Sequence, residues 1–378
     1  MQSRFLIVGA GMAGASAAAF LAPHGSLVLL EAEAQPGHHA TGRSAASYID
    51  TYGHPTVCAV TRAARDFFWS PPDGFADHPL VRPRPDLQVA GPGGGAILDA
   101  LLAEHAPTLR PVDAAEARRL CPILRPEIDW RGALNEGSAD IDVDGLLQGF
   151  LRMARAAGAR LVTGARVTRL ERTAAGWRAT ASAPDGSPGE TFEAEILINA
   201  AGAWAGPLGR LAGLSDLGLA PFRRTAVRLT PQHAQGLADW PFVIDVEDRF
   251  YFKPDAGGFM LSPVDETPSD PCDAWADDLD VAYAVQHFED ATTEQVRRVT
   301  HTWAGLRTFT PDRVPVLGPD PRDPAFVWLA GQGGYGIQTA PAMGEALAGL
   351  LVRGELPERL RAEGVTAQAL GVERLVGA

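Results

Sequence analysis

Phe5-Leu-Ile-Val-Gly9-Ala-Gly11-Met-Ala-Gly14 is an apolar run that ends in glycine and passes directly into an alanine-rich stretch, Met12 to Leu21. A short unbroken apolar run suits a strand buried on both faces, and alanine is the strongest helix former. Pro23 to Ser26 ends that helix, and Leu27 to Leu30 reads as a second buried strand, closed by Glu31. Together these form a βαβ unit of about thirty residues. The glycines follow G-x-G-x-x-G, with an acid about twenty positions further on, a combination that predicts dinucleotide binding. Gly9 makes the tight turn, Gly11 admits a pyrophosphate to the backbone and Gly14 lets helix and strand pack closely. Met12 and Ala13 start the helix, whose N-terminus offers N–H groups and positive potential to phosphates. Glu31, followed by Ala32, would accept hydrogen bonds from ribose hydroxyls.

Beyond this unit the pattern alternates. Residues 33 to 55 are rich in Gly, His and Ser and read as loop, and Pro71 to Pro92 reads as irregular. Helices are predicted at Ile97 to His105, Asp113 to Leu120, from Asp144 through Ala157, at Glu289 to Val299 and at Ala340 to Leu351. Leu161 to Thr163, Val167 to Arg172, Trp177 to Ser182 and Thr191 to Phe192 read as a β-meander with turns at Ala175-Gly176 and Asp185-Gly186. Ile196 to Ile198 is a buried-type strand that runs into Asn199-Ala200-Ala201-Gly202. Phe222 to Thr230 and Phe242 to Met260 suggest a second sheet, with a turn at Lys253 to Gly257. Ala325 to Ala330 is a buried strand ahead of the glycine-rich turn Gly331 to Gly336. A second glycine cluster, Gly91-Pro-Gly93-Gly94-Gly95, lacks the spacing and the acid, and Pro92 removes an N–H donor, so it reads as a plain turn.

Length and charge narrow the options. The chain has 378 residues, enough for two domains. Its net charge of -13 disfavours nucleic acid and anionic membrane surfaces. No apolar stretch is long enough for a transmembrane segment, and the glycines of the opening run argue against a secretory signal. Cys58, Cys121 and Cys272 are scattered without metal-like spacing. They are expected to be inert core thiols in a reducing, cytoplasmic protein, with no metal site.

A dinucleotide motif does not by itself separate NAD from FAD. Further glycine-bearing strand ends at Asn199 to Gly202 and Gly331 to Gly336 bring distant segments to one sheet, which suits a long, bent cofactor. The opening motif, Thr41-Gly42-Arg43-Ser44-Ala-Ala46, Asn199-Ala-Ala-Gly-Ala-Trp204, Thr302-Trp-Ala-Gly-Leu-Arg307 and Gly331-Gln-Gly333-Gly334-Tyr335-Gly336-Ile337-Gln338-Thr339 stand in register over nearly the whole chain. In this they resemble the D-amino acid oxidase superfamily of flavoproteins, and within it the bacterial D-arginine dehydrogenases. The resemblance implies an α/β protein. A Rossmann-type FAD-binding domain (1–76, 143–211, 303–378) would interleave with an α+β substrate domain (77–142, 212–302) carrying a mixed or antiparallel sheet.

It further implies non-covalent FAD and a D-amino acid substrate that loses a hydride from Cα, giving a 2-oxo acid and ammonia, with a quinone-like electron acceptor. Arg43, Ser44 and Ala46 would line one side of the flavin, the turn at Gly331 to Gly336 would put a helix N-terminus against the other, and Val167 would place its backbone against adenine. Arg224 and Arg307 correspond to carboxylate-binding arginines. A zwitterion needs its carboxylate oriented, and a bidentate guanidinium does this. Strand alternation would point Arg223 away. Tyr251 matches an active-site tyrosine, Tyr52 a tyrosine of a mobile loop that covers substrate, and Tyr335 could also touch it. Asp86 takes the place of a glutamate that pairs with a substrate guanidinium, and Ser47 that of a loop histidine.

Three other readings share these residues. A glycine or sarcosine type of amine oxidase would release hydrogen peroxide. A 2-hydroxy acid oxidase would use the same two arginines. A non-catalytic dinucleotide-binding protein would bind but not turn over.

Overall fold

A computed structural model describes residues 2–182, 186–230 and 236–376. Asp185 of the expected turn lies outside them. The elements that position the site are, in chain order, β1 (Gln2–Val8), α1 (Met12–Leu21), β2 (Leu27–Leu30), α2 (Pro55–Trp69), β3 (Asp86–Ala90), β4 (Arg131–Asn135), α3 (Val143–Ala156), β5 (Arg160–Val162), β6 (Arg166–Thr173), β7 (Gly176–Ser182), β8 (Pro188–Asn199), β9 (Ala220–Leu229), β10 (Phe242–Asp245), β11 (Tyr251–Asp255), β12 (Gly258–Ser262), α4 (Asp278–Ala291), β13 (Val299–Phe309), β14 (Val316–Asp320), β15 (Asp323–Ala330) and α5 (Gly336–Ala348).

The first sheet runs β5-β2-β1-β8-β15-β14. Its first five strands are parallel and β14 is an antiparallel edge. The parallel strands are apolar because both faces are covered, one by helices and the other mainly by the β6–β7 hairpin, with Leu170, Trp177 and Ala179 against Leu6, Leu197 and Phe326: Phe5, Leu6, Ile7, Leu197, Ile198, Phe326 and Val327 are fully buried. Against one face lie α1, α3 and α5, whose small residues let the helices approach closely: a Cβ on Gly344 of α5 would sit 2.8 Å from the Ser16 carbonyl carbon of α1. The N-terminal half of β8 leaves the parallel core to pair with β7, which pairs with β6.

The second sheet is mostly antiparallel: β9-β12-β11-β10-β3-β4, with β13 beside β9. Among the described residues its one parallel pair joins β10 to β3. Its back face carries an aromatic cluster of Phe250, Phe252, Phe259 and Phe288. The expected α/β class with two sheets is what forms. No described helix is long and apolar enough to cross a membrane.

Several expectations need correction. The helix near residue 290 ends where it was expected to begin: Asp277 caps it, accepting from the Leu279 N–H at 3.0 Å, and Asp278 and Asp280 favour its first turn. Residues 81–83 and 86–90, inside the stretch read as irregular, are strands. The strand at Arg160–Val162 joins the parallel sheet through β2 rather than a meander. The turn expected at Lys253 to Gly257 narrows to Ala256 and Gly257, which take positive φ, while Lys253 to Asp255 remain in β11. The helix expected from Ala340 begins at Gly336, directly out of the glycine turn.

Candidate functional site

The G-x-G-x-x-G segment folds as its glycines require. Gly9 has φ of 101°, and a Cβ there would lie 2.5 Å from the Ala200 carbonyl oxygen. A Cβ on Gly14 would lie 1.8 Å from the Gly9 oxygen. Both positions therefore exclude a side chain. The Glu31 carboxylate accepts from the Ala10 N–H at 2.8 Å and from the Glu33 N–H at 2.9 Å, so it braces the loop at the end of β1 and the exit of β2. Each oxygen keeps a second lone pair for a ligand. Thr41 Oγ1 accepts from the Met12 N–H at 3.0 Å and holds its loop against the N-terminus of α1.

From this point a cavity of about 520 Å³ runs between the two sheets. One end is walled by Gly9, Gly11, Met12, Ala13, Glu31, Ala32 and Val167, and the middle by Thr41, Arg43, Ser44, Ala46, Ala200, Ala201, Gly202 and Trp204. The far end meets Gly333, Gly334, Gly336, Ile337 and Gln338 on one side and Arg224, Tyr251 and Arg307 on the other, with Tyr52 at its edge. Other expected residues act from behind the wall or beside it. Gly14 packs α1 on β1, Gly42 packs on Gly37, Gly331 packs on Thr310, Thr339 donates to the Tyr335 carbonyl at 2.8 Å, and Tyr335 faces a neighbouring chamber.

The donor set fits a long dinucleotide. At one end α1 presents its N-terminus above a carboxylate suited to a ribose. Along the cavity Ser44 Oγ, His39 Nδ1 and Gln332 Nε2 are buried with no hydrogen-bond partner among the described residues, and buried polar groups of this kind are paired in a complete structure. At the far end α5 opens without a side-chain cap, leaving the positive end of its dipole to the cavity. The Arg43 guanidinium is turned to protein: it donates to the carbonyls of Ala274 at 2.9 Å and Ala304 at 3.1 Å and pairs with Asp273. Gln338 ties the Tyr52 loop to α5, exchanging hydrogen bonds with the Ile49 backbone at 3.1 and 3.2 Å.

The two arginines come from adjacent strands. On β9 Arg223 points outward to Asp280 at 2.8 Å, and Arg224 points inward. Arg224 Nε donates to the Asp265 carbonyl at 2.8 Å and Nη2 to Glu266 at 3.3 Å. Its Nη1 is buried without a partner among the described residues. Burial pulls the Arg307 guanidinium down, but the phenols of Tyr251, Tyr52 and Tyr335 outweigh it and hold it above the ordinary value. Burial likewise raises the Tyr251 phenol, and the cations of Arg307 and Arg224 overcome this and leave it below the ordinary value. Around them Ile49, Phe242, Ile244 and Val264 make the wall apolar.

Asp86 is not part of this wall. It is fully buried on β3, where it accepts from Ser138 at 2.6 Å and Gln88 at 3.3 Å. Burial pushes its carboxyl up to about 7. The acid at that end of the cavity is Asp248, in the turn between β10 and β11. Sequence reading missed it because a polar turn residue carries no signal of what it faces. Cys272, expected in the core, is exposed and borders the cavity, whereas Cys58 and Cys121 are buried.

Strain gathers here. Among the described residues six non-glycine residues have positive φ, and four of them, Ala46, Asp248, Val264 and Arg313, line the cavity or its neighbour. A β-branched residue such as Val264 at φ of 58° is a true outlier, and such strain concentrates at functional sites.

Residues 4–350 match the family described as DAO, FAD dependent oxidoreductase. The chain is similar to human mitochondrial dimethylglycine dehydrogenase, 25% identical over 272 residues that cover 67% of this chain and 31% of that protein. It is also similar to human mitochondrial sarcosine dehydrogenase, 26% identical over 258 residues that cover 65% of this chain and 27% of that protein. It thus spans less than a third of the length of these curated relatives. Glycine oxidase from Geobacillus kaustophilus superposes with a TM-score of 0.78 at 20% identity, covering 93% of this chain and 95% of that one. L-proline dehydrogenase from P. horikoshii does so at 0.79 and 20%, covering 96% and 98%.

Proposed function

The chain belongs to the DAO family of FAD dependent oxidoreductases, and on that premise we propose that it oxidises the C–N bond of a small amine bearing a carboxylate, with D-amino acids as the leading class. One observation carries the reading: Arg224 Nη1, buried and without a hydrogen-bond partner among the described residues, stands with Arg307 and Tyr251 at the far end of the cofactor cavity. Two guanidiniums and a phenol form a carboxylate grip with fixed orientation.

In this reading residues 1–76, 143–211 and 303–378 hold FAD non-covalently and 77–142 and 212–302 shape the substrate site. β13 crosses that boundary and carries Arg307 into the substrate sheet. FAD supplies the acceptor for the hydride that leaves Cα, after which water converts the imine to a 2-oxo acid and ammonia. Arg224 and Arg307 set the substrate carboxylate. Tyr251 adds a hydrogen bond, and Tyr52 with Tyr335 closes over it and excludes water. The substrate ammonium gives its proton to solvent before hydride leaves. A quinone-like molecule takes the electrons on. The apolar wall and the placement of Asp86 remove the expected partner for a basic side chain.

A second reading, N-methylated glycines as substrate, draws on the dimethylglycine and sarcosine dehydrogenases to which the chain is similar. Anaerobic mixing of the yellow holoenzyme with D- and L-amino acids, glycine, sarcosine and dimethylglycine, followed at the flavin band, tests both. Bleaching by D-amino acids supports the first reading and bleaching by N-methylglycines alone the second. Bleaching by none overturns both. Peroxide release in air tells an oxidase from a dehydrogenase.

A further inference from the structure

Beside the cofactor cavity lies an outer chamber of about 540 Å³. The two share Tyr52, Arg224, Asp248 and Val264, and the chamber adds Glu266, Arg313, Phe309 and Tyr335. Its charges are unequally matched. Glu266 pairs with Arg313 and lies 3.3 Å from Arg224. Arg224 and Arg307 are the carboxylate grip. Of the chamber's two carboxylates, Asp248 forms no ion pair among the described residues, although the charges of Arg224 and Arg307 act on it.

The turn holds Asp248 in place. The Asp245 N–H donates to the Phe250 carbonyl at 3.0 Å, and the Asp248 N–H donates to the Asp245 carbonyl at 3.0 Å. Arg249 is turned away, its Nε 2.7 Å from the Asp245 carboxylate. Asp248 itself sits at φ of 55°. Asp and Asn tolerate that conformation better than other side chains.

We propose that the outer chamber is a cation subsite, in which Asp248 receives a protonated nitrogen of the molecule whose carboxylate lies on Arg224 and Arg307. The proposal rests on the carboxylate grip of the preceding section and names the second charge that the site reads. Asp248 and the arginines, opposite charges on one continuous space, select a zwitterion over a plain acid. The nitrogen is either the α-ammonium or one at the far end of a side chain, which reaches through the neck past Val264.

Calorimetry on the holoenzyme tests this without turnover. Two ligand pairs are used: 2-aminoisobutyrate against isobutyrate for an α-nitrogen, and 6-aminohexanoate against hexanoate for a distal one. The wild type is expected to bind the ammonium member of one pair about tenfold more tightly, the size of one charged hydrogen bond. Asp248→Asn keeps the turn geometry and is expected to remove that preference while leaving the plain acid unchanged. The pair that responds identifies the nitrogen. Equal binding within both pairs in the wild type, a preference that survives Asp248→Asn, or an equal loss of the plain acid each overturns the subsite. If the preference behaves as expected yet no amine bleaches the flavin, the functional reading fails and the subsite stands.

Discussion

Arg224 and Arg307 lie one diagonal step apart on the same face of two antiparallel strands: Arg224 faces Gly305, and Arg307 faces Phe222. Diagonal neighbours are within reach of long side chains. The glycine opposite Arg224 leaves the space between them open to the cavity. Replacing Arg307 with Lys keeps the charge but loses the planar fork. Arg307→Lys and Arg224→Met are each expected to lower kcat/KM about 100- to 1,000-fold, since truncating a buried charged partner costs about 2–5 kcal/mol. Flavin content should stay near that of the wild type. Steady-state kinetics with absorbance per polypeptide checks this, and an unaltered kcat/KM removes the carboxylate grip.

Gly14→Ala is expected to abolish cofactor retention. Its Cβ would meet the Gly9 oxygen at 1.8 Å, a backbone contact that cannot swing aside. Overpacking costs about 1–3 kcal/mol and occasionally more, and a backbone clash this close stands at the upper end. The purified variant should be colourless or unfolded, read from its visible spectrum and thermal melt.

Gly53→Ala should act on substrate rather than on cofactor. Gly53 has φ of 101°, and a Cβ there would stand 2.7 Å from the Tyr335 ring. That ring packs against Tyr52 with centroids 5.2 Å apart. The change pushes the two tyrosines apart at the neck between the chambers. A fall in kcat/KM of about tenfold or more with flavin content retained is the expected result, because a covering loop excludes water and completes the site.

Asp86 gives stability a pH dependence of defined sign. Its carboxyl is near the ordinary 3.8 when unfolded and is pushed up to about 7 in the fold by burial. Between those values the native state binds the extra proton, so this group's contribution falls as pH rises from about 4 through about 7. Asp86→Asn should flatten that slope and raise Tm relative to wild type at pH 8. Substrate preference should not change, because the side chain is bonded to Ser138 and Gln88 behind the wall. Melts of both proteins from pH 4 to 8 decide this, and an altered side-chain preference would return Asp86 to the site.

The nucleotide half was legible in the chain because it is local. Strand, glycine turn, helix and acid lie within residues 2–31, and Gly14 and Gly9 are required by contacts inside that unit and with the end of the next strand of the same sheet. Strand alternation along β9 was equally readable, and Arg223 and Arg224 take opposite faces as that period requires. What faces the substrate was not local. Arg224 and Arg307 are brought together by the pairing of β9 with β13, which no periodicity reports. Asp86 and Asp248 are both acids beside strands, and the sequence does not rank them. Parallel pairing of β3 with β10 buries the first between strands, and the turn from β10 to β11 delivers the second to the cavities. The sequence by itself determined the dinucleotide-binding unit, since short-range sterics and hydrogen bonding suffice for it. Only the tertiary structure decided which charges line the substrate end, because burial and solvent exposure are properties of the packed sheets.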